Sequence, residues 1–263
     1  MALKQQDKNG IILMESPKLR ARHAFTTRYG GVSEGIWESL NLGENRGDGP
    51  DAVCTNFCRV CEASGFPYDR MVFSKQVHGD EIRAVSASDI HKLFSDVPYE
   101  ADGLMTDTPG LALVIFTADC VPILMHDPER GAVAAVHAGW RGTSKNIAGK
   151  AVSEMCRVFG CKPENLRAAI GPSIGKCCFE TDRDVPKAVR LSLGADAERF
   201  IFPRGERQTL DLRGINRHQL TAAGVPNENI DVSDECTMCR HEKYWSHRYT
   251  RGCRGSMASL IML

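Results

Sequence analysis

The stretch "GLALVIFTADCVPILMHDPERGAVAAVHAGW" (residues 110–140) decides the fold of this 263-residue chain. It contains three apolar runs rich in Val, Ile and Ala, each closed by turn residues, which is the pattern of buried strands. The link "DPERG" (residues 127–131) is short and contains Pro and Gly, so we predict a hairpin between the second and third runs. Cys120 precedes the second run and His137 closes the third. Antiparallel pairing would therefore bring these two side chains to the same end of the sheet.

Strand-like runs alternate with helical patterns along the rest of the chain, which indicates an α/β fold. One helix is predicted to begin with Thr143 or Ser144 as its N-cap and to end at Gly160. The patterns "RDVPKAVRLSLG" and "DLRGINRHQLTAAG" predict two more helices, each closed by a glycine. No repeat or Pro/Gly/Ser-rich linker divides the sequence. We therefore expect one domain over residues 1–263, with residues 1–18 as an N-terminal extension or a first strand.

Composition favours a small-molecule partner. Basic and acidic residues number 33 each, and no cationic block suggests binding to nucleic acid or to an anionic membrane surface. The N-terminal stretch "MALKQQDKNG" lacks the apolar core of a signal peptide, and the run "LALVIFTA" is too short to span a bilayer. These features predict a cytoplasmic protein. The neutral charge is compatible with a monomer or a weak homo-oligomer.

Eleven cysteines, an odd number in a chain of this size, suggest a reducing compartment rather than a disulfide framework. The helical spacing in "CTNFCRVC" (residues 54–61) predicts one packed helix face. The segment "ECTMCRH" (residues 235–241) contains a CxxC pair and His241, but without a second pair it is a weak signal for zinc or redox chemistry. Cys177 and Cys178 are interpreted as packed residues rather than as metal ligands.

Three of the eight histidines stand out by their context: His78 at a strand end, His137 beside small residues, and His247 between aromatic and cationic neighbours. Two histidines and a thiolate would make a three-ligand zinc set with an open fourth position. A Cys–His hydrolytic dyad would need only Cys120, His137 and an orienting group such as Asp119. The residues alone leave both chemistries open.

The motifs "HAFTTRYGGVSEGIWESLNLGENRGD", "KQVHGD", "TADCVPILMHDP", "AAVHAGWRGT" and "AAIGPSIGKCCFE" occur in the order seen in the laccase-domain family. The resemblance covers residues 19–263. Members of this family were once called multicopper polyphenol oxidases, and several are now regarded as purine nucleoside phosphorylases. The resemblance implies an α/β fold of layered mixed β-sheets flanked by helices, an α/β/β/α sandwich. It also implies a zinc site whose ligands fall on His78, Cys120 and His137.

The sequence departs from the family pattern at two positions. Phe179 follows the paired cysteines where the family usually has a tyrosine, so a hydroxyl group is missing there. Ser256 precedes Met-Ala-Ser where the family usually has an arginine, and Arg254 lies two residues earlier. Whether Arg254 takes over that role is a question for the structure.

Counting histidines excludes a multicopper oxidase, which needs roughly ten of them, typically in His-x-His pairs. This chain has eight, and no two are separated by a single residue. Copper bound at a His2Cys site could still support weak polyphenol oxidase activity.

The function implied by the resemblance is a zinc-dependent phosphorylase that acts on adenosine, inosine, guanosine or methylthioadenosine, with adenosine deamination as a further activity. Arg28 and Arg141 lie beside glycines and are predicted to bind phosphate. Gln76 and Asp119 are predicted to contact the substrate or to hydrogen-bond the metal ligands; a turn at the strand end is an equal alternative for Asp119. The competing classes are a metal-free Cys–His hydrolase or amidase acting on a cell-wall precursor, and a zinc-stabilised binding protein.

Overall fold

The computed structural model describes residues 3–263. Its strands are β1 (Lys4–Lys8), β2 (Ile11–Glu15), β3 (Arg22–Thr26), β4 (Met71–Val72), β5 (Ile82–Ala84), β6 (Gly103–Thr106), β7 (Ala112–Thr117), β8 (Val121–Asp127), β9 (Ala132–Ala138), β10 (Arg167–Ile170), β11 (Glu180–Thr181), β12 (Ile201–Arg204), β13 (Arg207–Leu210), β14 (Ile230–Val232) and β15 (Met257–Met262). Its α-helices are α1 (Pro50–Ser64), α2 (Trp140–Ser144), α3 (Ile147–Phe159), α4 (Asp184–Leu193), α5 (Leu212–Ala222) and α6 (His247–Thr250).

Two six-stranded mixed sheets form the centre of this described part of the chain. The first sheet has the strand order β1-β2-β3-β15-β7-β4, and the second has the order β14-β10-β8-β9-β6-β5. A smaller sheet, β11-β13-β12, is not hydrogen-bonded to either of them but packs through Ile201 and Leu210 into the core of the second sheet. The last strand, β15, pairs with β3 on one side and β7 on the other, so the end of the chain lies inside the first sheet.

Alternating side chains place one apolar layer between the two sheets and one on each outer face. On β8, Leu124 packs into the layer shared with the first sheet, while Ile123 and Met125 point to the opposite face. Helices α3 and α5 cover that outer face, and α1 covers the outer face of the first sheet. This period-two alternation buries both faces of each central strand. The predicted α/β/β/α sandwich is confirmed.

The predicted hairpin between β8 and β9 is also confirmed, with seven antiparallel pairs that run from Val121 opposite Ala138 to Asp127 opposite Ala132. At its turn, the Asp127 side chain accepts the backbone N–H groups of Glu129 and Arg130. This Asx-type contact explains why the short link reverses the chain so tightly.

The predicted start of the helix after β9 is wrong. Helix α3 begins at Ile147, because Asn146 adopts a left-handed conformation with φ of 62° and separates it from the short helix α2. The predicted end at Gly160 is confirmed, since that residue is left-handed and its N–H caps the helix. This break matters for the site because α2 starts directly after His137 and Gly139.

Residues 4–15, inside the segment predicted as an extension or first strand, form the hairpin β1–β2 at one edge of the first sheet. None of the helices within residues 3–263 combines the length and apolar character needed to cross a membrane.

Candidate active site and metal centre

Cys120, His137 and His78 converge at one end of the β8–β9 hairpin. Cys120 directly precedes β8, and His137 lies opposite Pro122 in the register of the pair. His78 comes from the loop after β4, where its backbone is left-handed with φ of 58°. The ligand atoms of the three side chains all lie within 4.8 Å of one another, and the two imidazole rings are perpendicular with centroids 4.9 Å apart. These three side chains could hold a metal ion.

Asp102 orients two of the three side chains. Its buried carboxylate accepts from His137 Nδ1 at 2.7 Å and from the backbone N–H groups of Val77, His78 and Gly79. The contact to Nδ1 leaves Nε2 of His137 as the nitrogen that is free to face a metal. Nothing in the sequence marks Asp102, because its role appears only when β6 pairs with β9 and brings it beside His137.

Charge interactions favour a thiolate at this site. Burial alone would raise the pKa of Cys120, but His137 and His78 outweigh it and lower the pKa to about 6. Burial likewise opposes a charge on His137, yet Cys120 and Asp102 raise its pKa to about 9. A thiolate is both the form of cysteine that binds metals and the form that acts as a nucleophile.

Gly139 keeps space open in front of the three side chains. A Cβ atom at this position would lie 3.0 Å from His78 Cδ2, 3.3 Å from Cys120 Sγ and 3.6 Å from His137 Cε1. Any side chain here would crowd the donor atoms. An imidazole–thiolate–imidazole set with open space beside it suits zinc, and also copper.

The three side chains line one wall of a cavity of about 510 Å3. Its volume is in the range of pockets that bind drug-sized molecules. Cationic and polar groups share the lining with aromatic and aliphatic side chains. The remaining lining residues are Arg46, Ser74, Gln76, Phe116, Thr117, Ala118, Asp119, Trp140, Ile174, Phe179, Leu212, His247, Arg248, Gly252, Arg254 and Ser256.

Arg254 is the most buried arginine of this lining. Its Nη1 donates to Ser256 Oγ at 2.6 Å and to the Gly255 carbonyl at 2.9 Å, whereas its Nε is buried without a partner. Burial, reinforced by the nearby charge of Arg46, lowers the pKa of Arg254 to about 10. A buried cation with an unused donor beside a second cation is suited to an anion. The guanidinium also lies against Ser256, the position where the family usually has an arginine.

Gln76 and Asp119, both predicted site residues, line the cavity, but their hydrogen bonds go to structural partners. Gln76 exchanges two bonds with the backbone of Phe116, its Oε1 accepting at 2.7 Å and its Nε2 donating at 2.8 Å. Asp119 accepts from Thr237 Oγ1, Ser246 Oγ and the Arg248 N–H. Asp119 therefore ties the C-terminal segment to the site, while Gln76 ties the His78 loop to the first sheet.

Arg28 and Arg141, predicted to bind phosphate, lie outside the lining of this cavity. Arg28 stacks on Trp245 at 3.9 Å, and its guanidinium donates to the carbonyls of Glu38 and His241. Arg141 is exposed and stacks on Trp140 at 4.4 Å. The cations that do face the cavity are Arg46, Arg248 and Arg254.

Phe179, Trp140 and Ile174 supply the apolar part of the wall. Phe179 is 8% exposed, and the guanidinium of Arg248 lies 5.6 Å from its ring centroid. Sequence reasoning noted His247 and Arg254 by context but missed Arg46, Trp140 and Arg248. The basic pair that follows "YWS" is the sequence signal that could have indicated Arg248. Only the fold, however, brings this pair to the cavity.

The sequence and the fold of this chain are similar to those of known proteins. A model of the family described as multi-copper polyphenol oxidoreductase laccase matches residues 22–263. A Geobacillus stearothermophilus protein named purine nucleoside phosphorylase YlmD is 40% identical over 268 aligned positions, covering 98% of this chain and 96% of that protein. A Deinococcus radiodurans protein named purine nucleoside phosphorylase is 38% identical, in an alignment that covers 97% of this chain and 94% of that protein. The crystal structure of YlmD from Geobacillus stearothermophilus superposes with a TM-score of 0.92 at 38% identity, covering 100% of this chain and 99% of that one.

Proposed function

This chain belongs to the multi-copper polyphenol oxidoreductase laccase family, and from that premise we propose that it is a purine nucleoside phosphorylase. One observation carries the proposal: a metal-capable His–Cys–His set and a buried, under-bonded arginine line the same cavity. Purine nucleoside phosphorolysis needs an anion site and an apolar slot for the base side by side. The cavity lining offers cationic side chains for the first and apolar side chains for the second.

Phosphate would bind beside Arg254 and Arg46. The guanidinium of Arg254 lines the cavity and has an Nε donor without a partner, and Arg46 adds a second positive charge. We infer that this pair, rather than Arg28 or Arg141, holds the anion, because Arg28 and Arg141 lie outside the cavity lining. Arg254 would thus serve in place of the arginine that the family usually has at position 256.

The purine would lie against the apolar wall. Phe179 offers a nearly buried ring, with Ile174 and Trp140 beside it, so a flat aromatic base can stack there. Phe179 lacks the hydroxyl of the usual tyrosine, so it contributes packing and no hydrogen bond at this point.

In the reaction, a phosphate oxygen forms a bond to C1′ of the nucleoside while the bond from C1′ to the purine nitrogen breaks. The base leaves with that electron pair and takes up a proton, and the other product is ribose 1-phosphate. Arg254 and Arg46 would orient the phosphate for attack and offset its charge. Asp102 would hold His137 in place, and Gln76 would hold the loop that carries His78. A zinc ion held by His78, Cys120 and His137 would supply Lewis acidity at this wall, with copper as the alternative metal.

The test is incubation of the purified protein with inosine or adenosine, with and without phosphate. We expect free base and ribose 1-phosphate only when phosphate is present. Base release that ignores phosphate would instead indicate a hydrolase, and no turnover of any nucleoside would contradict the proposal. The same adenosine reactions measure deamination, which appears as inosine and ammonia in the absence of phosphate.

A metal-free cysteine hydrolase is the second candidate, because Asp102, His137 and Cys120 are arranged as an acid, a base and a nucleophile. Its substrate class would be the amide of a cell-wall precursor. Metal analysis separates the two candidates. Near-stoichiometric zinc that is lost in Cys120→Ala supports the metal site, whereas a zinc-free active protein that iodoacetamide inactivates at Cys120 supports the hydrolase.

A further inference from the structure

Four cysteines from two distant segments meet beside the cavity wall. Cys177 and Cys178 lie in the loop before β11, and Cys236 and Cys239 lie in the loop after β14. Their four sulfur atoms all lie within 4.8 Å of one another. Cys239 Sγ is 3.5 Å from Cys177 Sγ and 3.4 Å from Cys178 Sγ. We call this group the cysteine cluster.

The prediction that Cys177 and Cys178 are packed is confirmed only for Cys178, which lies partly buried against the core, whereas Cys177 is exposed. The CxxC pair was a weak signal because a second pair was not recognised, and Cys177 and Cys178 were expected to be packed. In the structure Cys177 and Cys239 are exposed, Cys178 is partly buried and only Cys236 is buried. The adjacent pair Cys177–Cys178 therefore completes the CxxC pair across 58 residues of sequence, a relationship that only the fold reveals.

We propose that the cysteine cluster is a second metal site, which binds a zinc ion through four thiolates. Zinc–sulfur bonds of about 2.3 Å in a tetrahedron place the sulfur atoms about 3.8 Å apart. The sulfur separations in the cluster span this value, from 3.4 Å for the closest pair named above to the 4.8 Å limit that contains all four. Four cysteine sulfurs are also one of the donor sets that structural zinc sites use.

The surroundings of Cys236 suit a thiolate ligand. The N–H of Gly175 donates to Cys236 Sγ at 3.2 Å, and the N–H groups of Met238 and Cys239 point to the same sulfur. Such N–H···S bonds stabilise negative charge on a sulfur that binds metal. Gly175 is needed for this approach, because a Cβ there would lie 3.2 Å from both Cys177 Sγ and Cys236 Cβ.

Arg204 and Arg213 bring positive charge near the cluster. Arg204 Nη1 donates to the Cys177 carbonyl at 2.7 Å, and Lys176 lies between Gly175 and Cys177 in the sequence. Arg213 Nη2 would lie 2.8 Å from a Cβ at position 175, on the side of the cluster. Four thiolates around one divalent zinc carry a net negative charge, and these cations offset it.

A zinc ion here would join the two loops that shape the cavity. Ile174, three residues before Cys177, bonds through its N–H to the Asp119 carbonyl at 2.9 Å. Thr237, next to Cys236, donates through Oγ1 to the Asp119 carboxylate at 2.6 Å. The metal would therefore fix the loops on both sides of Asp119 while remaining separate from His78, Cys120 and His137. The proposal does not depend on the reaction that the cavity catalyses.

The test is the zinc content of anaerobically purified protein and of single-cysteine variants. We expect about two zinc ions per wild-type chain, and about one in either Cys239→Ser or Cys120→Ala, since each variant removes a ligand of only one site. Cys58→Ser, which changes an exposed cysteine of α1, is the matched control and should keep both ions. Loss of zinc in Cys120→Ala but not in Cys239→Ser would overturn the second site.

A measurement on a chain with the cluster intact guards against misfolding of Cys239→Ser. Cobalt-substituted Cys120→Ala should show intense sulfur-to-cobalt charge transfer and the visible bands of a tetrahedral ion, because within residues 3–263 the cysteine cluster is then the one metal-capable group with thiolates. Absence of these bands would overturn the proposal. The proposal would also be overturned if this variant bound no metal and its protein mass were lower by two hydrogens. That result would show that two cluster cysteines form a disulfide instead.

Discussion

Asp102 Oδ1 lies 2.7 Å from His137 Nδ1, and the same carboxylate accepts three successive backbone N–H groups of the loop that carries His78. One buried acid therefore sets both the ring orientation of one donor and the backbone position of another. His137 also donates its backbone N–H to the Asp102 carbonyl at 2.7 Å, which locks the two residues side by side on neighbouring strands. Asp102 acts on the donors and not on a substrate, so its role is one of positioning.

Replacing Asp102 by Asn should weaken metal binding about 10- to 100-fold, the usual effect of losing a carboxylate behind a histidine ligand. The loss arises because an amide nitrogen cannot accept the bonds that the second carboxylate oxygen accepts. Competition with a chromophoric chelator measures the affinity. Asp182→Asn, an exposed carboxylate, should leave it unchanged. Unaltered zinc affinity in folded Asp102→Asn would contradict the positioning role.

Arg254→Gln should raise the KM for phosphate by about 10-fold or more, because a hydrogen bond to a charged group contributes about 1.5–3 kcal/mol. The KM for the nucleoside should change far less. Steady-state rates at varied phosphate separate the two constants, and Arg251→Gln, an exposed arginine of the same segment, is the control. A folded Arg254→Gln protein with an unchanged phosphate KM would remove Arg254 from the anion site.

Arg28→Ala should lower the free energy of unfolding by about 1–3 kcal/mol, since it removes the hydrogen bonds from a charged guanidinium to the carbonyls of Glu38 and His241. It also removes the stacking on Trp245. Because Arg28 lies outside the cavity lining, the phosphate KM should stay within about twofold of wild type, a range expected for sites without contact. Urea unfolding and steady-state kinetics test the two parts. A large rise in phosphate KM without loss of stability would restore the sequence-based prediction.

Phe179→Ala should raise the nucleoside KM, since stacking of a base on an aromatic ring contributes about 1–3 kcal/mol. Phe179→Tyr keeps the ring and adds the hydroxyl that the family usually has, so it is the matched control. We expect the tyrosine variant to bind nucleoside at least as well as wild type. Equal KM values for the alanine and wild-type proteins would place the base elsewhere in the cavity.

Strand periodicity explains why the centre of the fold could be predicted from the sequence. The run from residue 110 to 140 carries its own turn and its own alternation, so the β8–β9 hairpin and the meeting of Cys120 with His137 follow from local signals. The start of α3 could not be predicted in this way, because Asn146 adopts a left-handed conformation where Thr143 and Ser144 look like ordinary caps. Cap propensity is local, whereas the break depends on how α2 packs.

The site could be predicted only in part, because several of its residues act through long-range contacts. Asp102 reaches His137 by strand pairing, and Arg46 and Arg248 reach the cavity by the path of the chain. Neither relationship is marked by spacing in the sequence. Arg28 illustrates the opposite case, in which a sequence signal for an anion ligand coincides with structural contacts. An arginine beside glycines resembles an anion ligand in sequence, but its guanidinium is engaged by backbone carbonyls and by Trp245.

His23 and His126 form a buried neutral pair at the start of β3. His23 Nε2 accepts the N–H of Ser16 at 2.8 Å and its Nδ1 donates to the Ala21 carbonyl, while His126 Nδ1 accepts the N–H of Ala21. Burial lowers the pKa of both histidines below the ordinary value of 6.5. A proton on an accepting nitrogen would set two N–H groups against each other, so the folded protein favours the neutral rings.

Stability should therefore fall as the pH drops below about 6.5, because the unfolded chain binds protons there that the folded chain excludes. Each histidine adds a slope of up to about 1.4 kcal/mol per pH unit between its lowered pKa and 6.5. Urea unfolding at a series of pH values below 6.5 measures how steeply the free energy of unfolding changes with pH. His23→Gln, whose amide can still accept from Ser16, should flatten it, whereas His218→Gln on α5 should not. A His23→Gln protein with the wild-type slope would show that this pair does not control the acid sensitivity.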